Sequence, residues 1–170
     1  MKTKIAVTDA CIFIDLYDLG LASMFFNLDV EIHTTSSVYF DLKEEHRQVL
    51  NAYQSVKKLI VHNLVEKDFI AIHTEPYPNS LSETDKSVIY IANNLNASVL
   101  SSNKVIIDCA INKSIKIHGM IWIFDNLVNS KMLSPQEAII KLKQLITMNF
   151  VFQNNQTLKD EIKKRFNLWN

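Results

Sequence analysis

Apolar residues fall in short runs separated by stretches of helical spacing. Ile5, Ala6 and Val7 form the first run and predict a buried strand over residues 4–9. Behind it, Ile12, Ile14, Leu16 and Leu19 keep helical spacing up to Gly20, and residues 21–27 predict another short helix. Val30 to His33 reads as a second strand, with Thr34 to Ser37 as turn and N-cap material. From Val38 the spacing is helical again. Val38, Leu42, Val49, Ala52, Tyr53, Val56, Leu59 and Ile60 share one broad face, opposite Glu44, Glu45, Arg47, Lys57 and Lys58. Phe69 to Ile72 predicts a third strand, Pro76 to Asn79 a loop, and Ser82 the start of a helix carrying Val88, Ile89, Ile91, Ala92 and Leu95. Ala97 to Leu100 reads as a fourth strand. A helix with Val105, Ile106, Cys109 and Ala110 follows, and then a fifth strand, Ile115 to Ile117, before Gly119. The chain from about residue 120 reads as helical, with Pro135 in a first turn after Ser134. This alternation predicts an α/β fold: a central parallel sheet of four to five strands, covered by helices on both faces.

The chain has 170 residues, which suits one domain with one core. Its 18 basic and 18 acidic residues cancel, so no global field draws nucleic acid and any such binding needs a local patch. Two glycines argue against Gly-rich phosphate loops. Cys11 and Cys109 have neither metal-ligand nor redox spacing and read as buried thiols. Without a leader or an apolar run of spanning length, the expectation is a reduced cytoplasmic protein with no membrane partner. No repeat, low-complexity tract or linker interrupts the chain.

Candidate chemistry begins with Asp9, which falls at the C-terminal end of the first strand. In open parallel sheets, ligands collect at that edge. Asp41 and Asp85 recur where later elements reach the same edge, and acids converging from distant segments call for a divalent cation. Each residue also has a structural reading. Asp9 suits the N-cap of the following helix. Ser82-Glu83-Thr84-Asp85 has the form of a capping box, with Asp at the last place. Asp41 lies too far into its helix for a cap, and its alternatives are a solvated face or a contact with the helix dipole. Asn103, after the fourth strand, is a cap or a neutral oxygen donor. Every strand–helix junction wants a cap, so the joint pattern is open to both explanations.

These residues resemble the PIN-domain family. Its pattern is an Asp ending strand one, an acid early in the helix after strand two, an acid opening a middle helix, and T/S-x-D after strand four. The matching stretches here are VTDACIFIDL with Asp9, SSVYFDL with Asp41, LSETDKSVIYIA with Asp85, and VLSSNKVIIDCA with Ser101 and Asn103. The segment IKIHGMIWIFDNLVNSKMLSPQEAIIKLKQL also resembles the end of PIN proteins, in a subgroup with an added helical tail. The resemblance implies a three-layer PIN-like domain over residues 1–130 and a C-terminal helical extension over 131–170 packed on the same domain. It implies a metal-dependent ribonuclease using Mg²⁺ or Mn²⁺, with RNA as substrate and, as for many family members, an antitoxin protein as partner. Two departures stand out. Cys11 occupies a place where the family often has Asn, and Asn103 replaces the fourth acid.

On this resemblance Asp9 and Asp85 are direct or water-bridged ligands, while Asp41 is a further ligand, orients a metal-bound water or serves as general base. Ser101 holds a ligand or a phosphate oxygen, and Asn103 holds a water without adding charge. Three site carboxylates rather than four predict a single resting ion. Lys43, Arg47, Lys86 and Lys104 are the candidate phosphate contacts, each equally readable as a solvated surface cation. No aromatic stacking platform stands out. Two other readings are open. One is an aspartyl phosphatase or phosphotransfer domain, with Asp9 as nucleophile, Ser101 or Ser102 on the phosphate and Lys104 balancing charge, although Cys11 sits where such enzymes carry a second acid. The other is a catalytically degenerate domain that binds nucleic acid or protein. Ser134 to Trp169, rich in Leu, Ile and Phe, packs either on a partner or a second copy in a homodimer, or on the chain's own core. Trp122, Ile123 and Phe124 read as core or as a dimer seam.

Overall fold

The computed structural model describes residues 4–170. Five strands form one parallel sheet: β1 (Ile5–Thr8), β2 (Glu31–Thr35), β3 (Leu59–His62), β4 (Ser98–Leu100) and β5 (Ile117–His118), in the order β3-β2-β1-β4-β5. All four pairings are parallel, and β1 is central, with Val7 opposite His33 on one side and Val99 on the other. The chain builds outward from β1 through β2 to β3, then crosses back to lay β4 on the other side of β1. Strand order therefore reverses between β1 and β4, and the crevice at their C-terminal ends is where such sheets bind ligands.

The helices are α1 (Ala10–Asp18), α2 (Ala22–Phe25), α3 (Ser36–Asp41), α4 (Glu44–Ser55), α5 (Glu66–Thr74), α6 (Glu83–Leu95), α7 (Lys104–Asn112), α8 (Met120–Asn129), α9 (Pro135–Met148), α10 (Phe150–Asn154) and α11 (Gln156–Trp169). Central-strand residues Val7 and Val99 and α6 residues Val88 and Ile89 are buried completely. Leu142 and Leu145 of α9, Phe152 of α10, and Ile162 and Trp169 of α11 belong to the same cluster, so the C-terminal helices close the chain's own core. None of the described helices is long and apolar enough to cross a membrane.

Three sequence expectations are corrected. The helical face drawn from Val38 to Ile60 is broken twice. Leu42 leaves α3 in an extended conformation (ψ 151°) and is buried, which turns the chain before α4 begins. After α4, Lys57 adopts a left-handed conformation (φ 58°), and Leu59 and Ile60 enter β3 instead of a helix. Phe69 to Ile72 is not a strand but the middle of α5. There Asp68 accepts the Val65 N–H at 2.9 Å, closing the first turn. An apolar run of four residues does not separate the two structures by periodicity.

Candidate active site at the strand ends

Asp9 leaves β1 at its C-terminal end in an extended conformation (φ −84°, ψ 177°). Its main-chain N–H donates to the Leu100 carbonyl at 3.2 Å, which fixes it beside the end of β4. Three donors surround its carboxylate. Ile12 N–H donates to Oδ1 at 3.2 Å, capping α1. The Cys11 thiol sits 3.0 Å from Oδ1 and 3.1 Å from Oδ2. The Ser101 hydroxyl donates to Oδ2. Asp9 is only 5 % exposed. Burial pushes its pKa up to about 6, the three donors pull it back in part, and the nearby charge of Asp85 adds to the rise.

Ser101 is held in turn from its own loop. Its Oγ accepts the Asn103 N–H at 3.0 Å, and the Asn103 Oδ1 caps α7 by accepting the Val105 N–H at 3.0 Å. Ser102 N–H donates to the Cys11 sulfur at 3.3 Å, so Cys11 links the β1–α1 and β4–α7 junctions. Burial, then the charge and hydrogen bonding of Asp9, raise the Cys11 pKa well above its ordinary value and keep it a thiol donor. Two buried hydroxyls here, Thr8 Oγ1 and Ser102 Oγ, have no hydrogen-bond partner among the described residues.

Asp85 arrives on α6. Its Oδ2 accepts the Ser82 N–H at 3.1 Å while its own N–H donates to Ser82 Oγ at 3.1 Å, forming the capping box read from the sequence. The Thr35 and Ser87 hydroxyls, 2.8 Å apart and both buried, tie the end of β2 to α6 and so hold that helix against the strand ends. Asp9, Asp85 and Asn103 thus each cap a helix, and Asp9 in addition receives groups from across the crevice.

Asp41 does not join them. It is the last residue of α3, exposed to solvent, and makes no side-chain hydrogen bond among those described. Among the described residues no three His, Cys, Asp or Glu side chains converge as a metal-holding group, and Asp41 stands in solvent. The physical reason is the shortness of α3, whose buried residue is Val38 and whose final turn carries Asp41 out into water. Of the expected phosphate contacts, Arg47 pairs with Glu44, Lys86 with Glu83 and Lys104 with Asp108, each within its own helix, while Lys43 stands exposed before α4.

Asp15 is the acid that sequence reasoning passed over. It is 5 % exposed on α1, and both its oxygens accept from Asn149 Nδ2, at 3.0 and 2.9 Å. Burial raises its pKa to about 6, Asn149 lowers it, and the charges of Asp18 and Asp9 raise it again. The available signal was its position three residues after Ile12 and beside Leu16, inside the apolar stripe of α1.

The family model for the PIN domain matches residues 5–167. This chain belongs to the PIN-domain family. PIN domains are generally nucleases and generally use a divalent metal. The match spans all four motif stretches, from Asp9 to Asn103. No curated protein matches the chain. Among solved structures it is similar to a PilT N-terminus domain protein, SSO1118, from the hyperthermophilic archaeon Sulfolobus solfataricus P2. That likeness has a TM-score of 0.49 and 17% identity, covering 74% of this chain and 92% of the other. As a site for the family's metal, the crevice offers hard oxygen donors: the Asp9 and Asp85 carboxylates and the Ser101 hydroxyl. That set suits one Mg²⁺ or Mn²⁺ completed by water rather than a closed protein cage.

Proposed function

We propose that this PIN domain is a metal-dependent ribonuclease with a single resident ion at the Asp9–Asp85 edge. The observation that carries the reading is the buried Asp9 carboxylate at the strand-order reversal, pressed by the like charge of Asp85 and ringed by donors. Two acids sharing a poorly hydrated crevice are relieved by a cation. When bound, Mg²⁺ or Mn²⁺ supplies an activated water and neutralises charge on the phosphate.

The chain's own residues then divide the work. Asp9 and Asp85 hold the ion. Ser101 orients the Asp9 carboxylate by its hydrogen bond, and the Asn103 main chain fixes Ser101. Cys11 blocks one side of Asp9 and ties the two loops together. Asp41, on the solvent side of α3, is not required for ion binding on this reading.

Calorimetric titration with Mn²⁺, paired with cleavage of single-stranded RNA, tests the proposal. Asp9→Asn keeps the oxygen that caps α1 and removes the charge. The expected result is one ion bound by the native chain, lost in Asp9→Asn and weakened in Asp85→Asn, with cleavage following the same order. A second reading, a PIN domain that binds RNA without cutting it, is favoured by the separation of Asp41 from the other acids. Retained RNA binding with no Mn²⁺ heat and no cleavage would establish that reading instead.

A further inference from the structure

A groove of about 810 Å³ runs from the starts of β1 and β4 and the end of α6 along β5 to Trp122 on α8. Its Lys4 end lies about 16 Å from Asp9 along the strand direction, counting five residues at ~3.3 Å each, while its other end reaches His118, which is level with Leu100 and accepts the Ser101 N–H on its carbonyl at 3.0 Å. Its lining contains Lys4, Lys113 and Lys116 and neither Asp nor Glu. In a chain whose charges cancel overall, this is a local basic surface. Lys113 is committed to Glu75 and lies 4.9 Å from the Tyr77 ring centroid. Lys4 and Lys116 are exposed and form no ion pair among the described residues.

Beside these cations stands an aromatic platform. The rings of His118 and Trp122 stack with centroids 4.5 Å apart and planes 15° from parallel. Both line the groove and both are half-buried. Burial, and then the charges of Lys116 and Lys4, hold the His118 imidazole below its ordinary pKa, so both cations are within electrostatic reach of the stack. On the far side, α6 ends in the groove with Asn93 in its last turn and Asn96 as its cap. The carbonyl end of a helix carries partial negative charge, so it disfavours an anion there and accepts hydrogen bonds from hydroxyl and amino groups.

We propose that this groove is a second ligand site, taking a nucleotide unit with its base on the His118–Trp122 stack and its phosphate at Lys4 and Lys116. The α6 end suits the ribose hydroxyls and the base edge. Stacking recognises any base, and isolated cations recognise any phosphate, so the site selects the chemical class rather than a sequence. The site is independent of the ribonuclease reading, because it uses no residue of the Asp9 crevice and needs no metal.

The test is nuclear magnetic resonance of the full chain in EDTA, following the Trp122 indole N–H and the His118 ring. The probes are adenosine 5′-monophosphate, inorganic phosphate and a ten-residue oligoadenylate RNA. The nucleotide probes are expected to shift both signals, with inorganic phosphate much weaker. Tighter binding of the oligonucleotide assigns the groove to an RNA strand, tighter binding of the monophosphate to a free nucleotide, and either supports the proposal. The Lys4→Glu, Lys116→Glu double variant alters only exposed side chains, and Trp122→Leu removes the platform. Each is expected to weaken binding about tenfold or more. Absence of shifts at millimolar probe, equal shifts from inorganic phosphate alone, or unchanged affinity in the charge-reversed variant would overturn it.

Discussion

Asp15 is a carboxylate placed where α1 otherwise buries Ile12, Phe13 and Leu16. Its folded pKa is raised from 3.8 to about 6. The folded chain therefore holds the proton more tightly than the unfolded one between those values. Stability from this group is greatest below pH ~4, declines as pH rises through ~6 and stays low above. A shift of that size corresponds to about 3 kcal/mol at most, because a unit is worth about 1.4 kcal/mol. Asp15→Asn, which still offers an oxygen to Asn149, is expected to raise stability by on the order of 1 kcal/mol or more at pH 7.5 and by almost nothing near pH 4. Urea unfolding at the two pH values checks this; an equal effect at both would assign the change to packing instead. Asn103 is a second residue whose charge state decides behaviour. Its Oδ1 serves only as a cap, a role aspartate fills equally well. Asn103→Asp is expected to leave thermal stability unchanged and to tighten Mn²⁺ binding by on the order of 1 kcal/mol or more in calorimetry. Asp9, Asp85 and Asn103 were legible as candidates because capping is local: each bonds a main-chain N–H within three residues. The contacts that make Asp9 more than a cap were not legible. Ser101 and the Ser102–Cys11 link reach it across about ninety residues, and no local rule encodes that pairing.

At the scale of elements, the C-terminal helices join the sheet's first helix through one polar contact. Asn149 stands at the α9–α10 junction, where its Oδ1 caps α10 through Val151 N–H while its Nδ2 serves Asp15. Asn149→Ala removes both functions and leaves a buried carboxylate without its donors. A loss of about 2–4 kcal/mol is expected at pH 7, shrinking in acid as Asp15 takes up its proton. In the Asp15→Asn background the loss should be smaller, and a double-mutant cycle measures the difference as coupling. Additivity of the two changes would show that Asn149 acts only as a cap. The sequence read these elements unevenly. The Ser134–Pro135 start of α9 was legible because Ser134 and Glu137 complete a capping box around a proline at the first turn. β3 and α5 were exchanged in kind. β3 is an edge strand that buries Leu59 and leaves Ile60 exposed, and α5 exposes Phe69 and Ile70 while burying Ile72. Where so little of an element is buried, its apolar pattern is set by too few contacts to declare a period.

For the whole molecule, electrical neutrality hides two patches of opposite character. Some cations are spent in ion pairs: Arg47, Lys86, Lys104 and Lys164 with neighbours on their own helices, Lys113 with Glu75 and Arg165 with Asp125. Beside them stand an acidic crevice at the C-terminal end of the sheet and a groove whose cations, Lys4 and Lys116, lie toward the starts of the strands. Without metal the crevice repels phosphate, so in EDTA the groove's share of RNA binding should rest on Lys4 and Lys116. Each phosphate neutralised on a single strand contributes about −0.7 to the slope of log K against log salt, so two give about −1.4. Fluorescence anisotropy of a labelled oligoadenylate from about 50 to 200 mM KCl reads this slope directly. A value several times steeper would mean that a broad cationic face, rather than two side chains, holds the strand. On the proposed reading, Mn²⁺ would convert the acidic crevice into a second phosphate contact. It is therefore expected to raise affinity in the native chain and in the Lys4→Glu, Lys116→Glu variant. In the Asp9→Asn, Asp85→Asn variant it should do neither, because the groove binds there without any ion to recruit the other end.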